Sequence, residues 1–139
     1  MNAVHRIALG VAVAGLLGAT AGSVAAQERQ EQEEMGPWKE MNGFHMTLGP
    51  VWHPVDENGD LAPLRENIAK LIRAADVWAA STPPEACADV KAETVKDIAK
   101  DVRALAELVA AKAPDERLKS GIAAIHEKFE PIEQSCVSK

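Results

Sequence analysis

Hydrophobic residues recur along most of this chain in steps of three and four, the spacing that lines one face of an α-helix. These steps predict one helix over about residues 62–80, another from residue 86 or 89 to about 113, and a last one from about 115 to 136. Alternation typical of β-strands is hard to find. The three predicted apolar faces are Leu64, Ile68, Leu71, Ala75 and Trp78; Val95, Ile98, Val102, Leu105 and Val109; and Leu118, Ile122, Ile125, Phe129 and Ile132.

A weaker apolar face precedes these helices and predicts a short first helix over residues 38–48. Gly49-Pro50 is expected to interrupt it, because proline has no amide donor and clashes with the preceding turn. His53 precedes Pro54 and is pushed toward extended backbone. The sequence therefore predicts an all-α, up-down-up-down four-helix bundle whose first helix is short and bent. The apolar residues of this first helix are Trp38, Met41, His45 and Leu48, with Phe44 alongside.

The first 26 residues have the features of a signal peptide. His5-Arg6 forms a basic start, residues 7–17 form an apolar run too short to span a bilayer comfortably, and Val24-Ala25-Ala26 offers small residues for cleavage. We expect a periplasmic or secreted product without a membrane span. The Gln- and Glu-rich residues 27–36 are expected to form a disordered acidic linker, and residues 37–139 the bundle domain.

The charge balance narrows the range of partners and activities. The chain has 21 acidic and 15 basic residues, a net charge of −6, and cleavage of the leader would also remove Arg6. Nucleic acid is therefore not an expected partner. The acidic turn at residues 56–60 is not a calcium loop, since Leu61 and Asn67 stand where glycine and glutamate are required. No nucleophile or acid–base pair is apparent, so we do not expect an enzyme.

The two cysteines, Cys87 and Cys136, test the proposed topology. Cys87 is expected at the start of the third helix and Cys136 at the end of the fourth, and antiparallel neighbouring helices bring those two ends together. An exported protein with two such thiols is expected to join them in a disulfide. A redox or zinc motif is disfavoured because the cysteines are far apart in sequence.

Histidines offer the main sign of chemistry in this sequence. Measured from the disulfide end, His45 would lie about 10 Å and His126 about 15 Å along their helices, at similar depth on neighbours. His126 and Glu130 are four residues apart and share a helix face. His53 would join them only if a bend at residues 49–50 shortened its distance. Each histidine has a simpler interpretation as a hydrogen-bonded core or helix-end residue, and Met41 and Met46 as core filler.

Several short motifs resemble those of a group of small exported bacterial helical proteins. In that group we expect Phe-His, then Phe-His-Pro, a Leu-Pro-Arg helix start, and a final His-Asp-x-Phe-His. The resemblance implies that clustered histidines bind metal and implies no established activity; Glu130 stands where the last histidine would be. The motifs here are Phe44-His45, Trp52-His53-Pro54, Asp60-Leu61-Ala62-Pro63-Leu64-Arg65-Glu66, and His126-Glu127-Lys128-Phe129-Glu130 before Cys136.

Three hypotheses for function follow. The first is a transition-metal site formed by His45, His53, His126 and Glu130, a donor set that suits Zn²⁺ or Cu²⁺, in a protein that sequesters, senses or delivers metal. The second follows from a weaker resemblance to exported four-helix b-type cytochromes, which implies haem b held for electron transfer by Met41 and His126. The third is an interaction module without a cofactor.

Overall fold

The computed structural model describes residues 36–137 as four helices joined by short turns. Neighbouring helices along the chain pack side by side, and the last packs against the first, so they close into an antiparallel four-helix bundle. No strand occurs in this part of the chain, which confirms the all-α prediction. The predicted signal peptide and all of the predicted linker except Gly36 lie outside the described residues. The helices are α1 (Lys39–Asn58), α2 (Ala62–Ala80), α3 (Ala92–Ala110) and α4 (Asp115–Val137), with a 3₁₀ turn at Glu85–Cys87.

The first helix does not break after Leu48, where the sequence predicts an interruption. It continues through Pro50 and Pro54 to its end at residue 58. Pro50 cannot donate to the carbonyl of Met46, but both residues are exposed, so water can satisfy that carbonyl. Burial on the opposite side of α1 continues without a gap across this segment, which favours one helix. The residues buried there are Leu48, Val51 and Val55.

The other helices follow the predicted pattern closely. The second has the predicted bounds, Ala62–Ala80. The third begins at Ala92, later than predicted, because the residues after Pro84 form a single 3₁₀ turn and Lys91 is extended. The fourth runs through Pro131, which is exposed to solvent, as Pro50 of α1 is. Every predicted core residue of α4 is buried, whereas Ile68 of α2 and Val109 of α3 are only partly buried.

The turn between α1 and α2 depends on a left-handed glycine. Gly59 has φ +70°, and the amides of Gly59 and Asp60 donate to the carbonyls of Val55 and Pro54 at 2.9 and 3.0 Å. This arrangement satisfies the last carbonyls of α1. An Asp60 carboxylate oxygen then accepts a hydrogen bond of 2.9 Å from the amide of Ala62 at the start of α2. The acidic turn therefore links two helices.

Replacing Gly59 by alanine is expected to lower the free energy of unfolding by about 1 kcal/mol, because a β-carbon is disfavoured at this positive φ. Chemical denaturation measures the change. Gly43→Ala is the matched control: Gly43 is in a helix interior, and a β-carbon there meets nothing within 4 Å. Alanine at Gly43 should stabilise the protein by about 0.5–1 kcal/mol. Equal effects of the two substitutions would contradict this account of the turn.

Four aromatic rings form a cluster in the core toward the disulfide end of the bundle. The Trp78 ring stacks on Phe44 with 5.2 Å between centroids and meets Trp38 and Phe129 edge-on at 5.7 and 5.8 Å. Phe44 and Phe129 also meet edge-on at 5.5 Å. The Trp38 indole N–H donates to the Ser81 hydroxyl at 2.9 Å. The cluster, Trp38, Phe44, Trp78 and Phe129, thus joins α1, α2 and α4.

The predicted disulfide between Cys87 and Cys136 is confirmed. Their Cα atoms are 4.9 Å apart although 49 residues separate them in sequence, and both residues are buried. Cys87 lies in the 3₁₀ turn before α3, and Cys136 lies in the last turn of α4. The bond therefore joins the two ends that the antiparallel topology brings together.

Three ion pairs formed by lysine or arginine link helices at the surface and stabilise the bundle only modestly. They link α2 with α3, α3 with α4, and the beginnings of α2 and α4. The pairs are Arg103–Asp76 at 2.5 Å, Lys128–Asp101, and Arg65–Asp115 at 2.6 Å. Over residues 36–137, no helix has the length and apolar character needed to cross a membrane.

Candidate metal site between α1 and α4

Histidine and glutamate side chains, which can bind metal ions, lie together with a tryptophan at the interface between the first and last helices. On α4, His126, Glu130 and Glu133 follow one another at steps of four and three residues, so they share a face. Contacts at both ends of this row show that the face is turned toward α1. We call this interface the α1–α4 seam. It comprises His45, Gly49, Trp52 and His53 of α1 and His126, Glu130 and Glu133 of α4.

His45 and Glu133 form the one ion pair found for α1 among the described residues. The Nδ1 atom of His45 contacts Oε1 of Glu133 across the seam, and their side chains are 38% and 22% exposed. Nδ1 itself is shielded from solvent. The ring also packs edge-on against Phe129, with 5.4 Å between centroids. An imidazole nitrogen and a carboxylate oxygen from two helices are thus held together in a partly dry position.

His126 has a different partner farther along the seam. Its ring stacks on Trp52 with 4.8 Å between centroids and 20° between planes. Since Trp52 is seven residues after His45, and Glu133 is seven after His126, the two histidines lie about 10 Å apart along the helices. The sequence predicted depths of about 10 and 15 Å, a difference of about 5 Å. It therefore underestimated the axial separation of the two histidines by about one helical turn.

His53 and Glu130 both have exposed side chains. The ring of His53 lies beside Gly49: a β-carbon built on Gly49 would meet His53 Cδ2 at 3.8 Å and Nε2 at 3.9 Å, and no other atom within 4 Å. Gly49 therefore adjoins the exposed ring of His53 and lies between the His45–Glu133 pair and the Trp52–His126 stack.

The four predicted ligands are not assembled as a preformed cage. Within residues 36–137, no three His, Cys, Asp or Glu side chains converge closely enough to hold an ion. His45 lies with Glu133, His126 with Trp52, and His53 and Glu130 face solvent. The complete ligand set stays a prediction.

Glu133 is the residue that the sequence reasoning missed. The spacing of Glu133 in the sequence indicates its position. It lies three residues after Glu130 and seven after His126, on the same face of the predicted helix. The pattern His-x₃-Glu-x₂-Glu extends the row of ligands by one turn toward the disulfide end. That added turn is the one that reaches His45.

The proposed haem ligands do not face each other. Met41 is fully buried in the core of the bundle, one turn before His45. His126 stacks on Trp52, which lies 11 residues after Met41, or about 16 Å along α1. Axial ligands must approach one iron from opposite sides, so this arrangement does not fit haem held by that pair.

Comparison with protein-family models, with curated proteins and with solved structures finds no match to this chain.

Proposed function

We propose that this protein is an exported metal-binding protein that holds a transition-metal ion, Zn²⁺ or Cu²⁺, at the α1–α4 seam. What supports the proposal is the His45–Glu133 pair, an imidazole nitrogen beside a carboxylate oxygen. Both atoms are common ligands of these ions, and the soft donors that favour Cu⁺ are not part of this pair. The ion takes the place of the direct contact between the two side chains.

The remaining predicted ligands lie along the same seam. Glu130 is one turn from Glu133 on α4, and His126 is one turn beyond Glu130. His53 lies on α1, and its exposed ring adjoins Gly49. Rotamer changes of Glu130 bring a second carboxylate to the ion, and His126 and His53 provide further donors after larger rearrangements.

A site with two close donors and exposed neighbours suits an ion that exchanges. Structural zinc sites are closed by four protein ligands, whereas open positions are filled by water or by another ligand. The proposed role is therefore sequestration, sensing or delivery of metal, without turnover of a substrate. The acidic net charge of −6 favours accumulation of cations near the protein.

Metal titration of the exported protein, with its disulfide intact, tests this proposal. We expect one Zn²⁺ or Cu²⁺ per chain, and His45→Ala and Glu133→Gln should each weaken binding at least tenfold, about 1.4 kcal/mol. Electron paramagnetic resonance of the Cu²⁺ complex should show nitrogen coordination that His45→Ala reduces. Glu107→Gln, a change at an exposed glutamate of α3, is the matched control and should leave binding unchanged.

The same experiment distinguishes the alternatives. Equal metal affinity in the parent protein, His45→Ala and His126→Ala would overturn the proposal and favour a module that acts through protein contacts alone. A visible Soret band in the purified protein would instead favour haem. Loss of binding in His126→Ala and not in His45→Ala would move the ion to the other end of the seam.

A further inference from the structure

A groove with a different set of side chains lies on the opposite side of α1, between α1 and α2. It is a groove of about 410 Å³, a volume within the range of small-molecule sites. Val77, in its wall, is 59% exposed, one of two large hydrophobic side chains exposed within the described part of the chain. The groove, called here the α1–α2 groove, is lined by Lys39, Glu40, Gly43, Arg73, Ala74 and Val77.

Two cations flank an apolar surface in this groove. Gly43, Ala74 and Val77 supply that surface, and the alkyl stems of lysine and arginine extend it. Neither Lys39 nor Arg73 has an ion pair or side-chain hydrogen bond with any residue between 36 and 137. Glu40 is the acidic residue of the lining, so the groove carries net positive charge in a chain whose net charge is −6.

Neither the packing nor the backbone conformation at residue 43 requires a glycine. It lies in the interior of α1, where glycine is less stable than alanine, and a β-carbon there meets nothing within 4 Å. Neither close packing nor a positive φ requires it. Because Gly43 has no side chain, it leaves the α1–α2 groove open at this point.

We propose that the α1–α2 groove binds a medium-chain alkyl carboxylate, such as a free fatty acid anion. The acyl chain lies on Gly43, Ala74 and Val77, and the carboxylate pairs with Arg73, whose guanidinium matches it in a two-point contact. Lys39 adds a second positive charge. A folded protein partner would need about 800 Å² of its own surface, far more than these six residues offer.

Titration of the full exported protein with ¹³C-carboxyl decanoate, followed by NMR below the micelle concentration, tests the proposal. We expect saturable binding of one decanoate per chain. Gly43→Leu should abolish saturable binding, because the new side chain enters the groove at a position where a β-carbon meets nothing within 4 Å, and should raise the melting temperature. Arg73→Glu should weaken binding at least tenfold.

The controls separate the groove from nonspecific charge and from the metal site. Arg117→Glu makes the same charge change at an exposed residue of α4 and should leave decanoate binding unchanged. Decanol, which lacks the carboxylate, should bind at least tenfold more weakly. Decanoate binding that persists in Gly43→Leu, or that decanol matches, would overturn the proposal. Added chelator should change nothing, since this site does not depend on the proposed metal.

Discussion

Replacing Phe129 by alanine is expected to lower the free energy of unfolding by about 3–5 kcal/mol, the range for truncating a buried aromatic residue. Phe129 is 2% exposed, and its ring contacts Phe44, Trp78 and His45. Its loss leaves a cavity where α1, α2 and α4 meet. Guanidinium denaturation followed by circular dichroism measures the change, which should appear as a lower midpoint with an unaltered slope.

Val77→Ala serves as the control for this truncation. Val77 is also hydrophobic, but it is 59% exposed, so its loss should change stability by no more than about 0.5 kcal/mol. If Phe129→Ala were no more destabilising than Val77→Ala, the aromatic cluster would not be the centre of the fold.

Removing the disulfide by the double substitution Cys87→Ala and Cys136→Ala should cost about 4 kcal/mol. The bond closes a long loop, with 49 residues of sequence separation, and in the chain-entropy model the stabilisation increases with loop length. Thermal and chemical unfolding of the variant and the oxidised parent give the difference. Reduced parent protein is the matched control and should unfold with the double variant. A double variant as stable as the oxidised parent would contradict this expectation.

The last three helices could be predicted from sequence because their stability follows from local patterns. The spacing of apolar residues fixed the faces of α2 and α4, and Pro63 at the start of α2 and Ser81 after its end gave its limits. The disulfide then followed from this topology and from the expected export of the protein. Apart from that expectation of export, these inferences need only the helical period and the antiparallel arrangement.

The length of α1 could not be obtained in this way. Pro50 and Pro54 are strong local signals for a break, whichever side of the helix they occupy. In the bundle, the carbonyl of Met46 that Pro50 cannot satisfy lies beside exposed side chains, while Val51 and Val55 remain in the core. Tertiary packing therefore decides the outcome, as is usual when it opposes local propensity.

The histidine positions show the same limit of local reasoning. That His45 and the last helix would meet was predicted from topology, but the partner is Glu133. An axial error of one turn was enough to exchange one ligand for another, since side chains on a helix face repeat every three or four residues. The register of α4 against α1 depends on the packing of Phe129 and its neighbours, which the sequence pattern does not specify.

The position of the disulfide also determines how the molecule responds to tension. With four antiparallel helices, residues 36 and 137 are at the same end, and a pull applied to them is transmitted from Cys87 directly to Cys136. The force then acts on α1 and α2, while α3 and α4 lie within the loop that the disulfide closes. Reduction of the Cys87–Cys136 disulfide would release that loop and lengthen the part of the chain that force can extend. The extension of this protein under tension therefore depends on whether the two cysteines are oxidised.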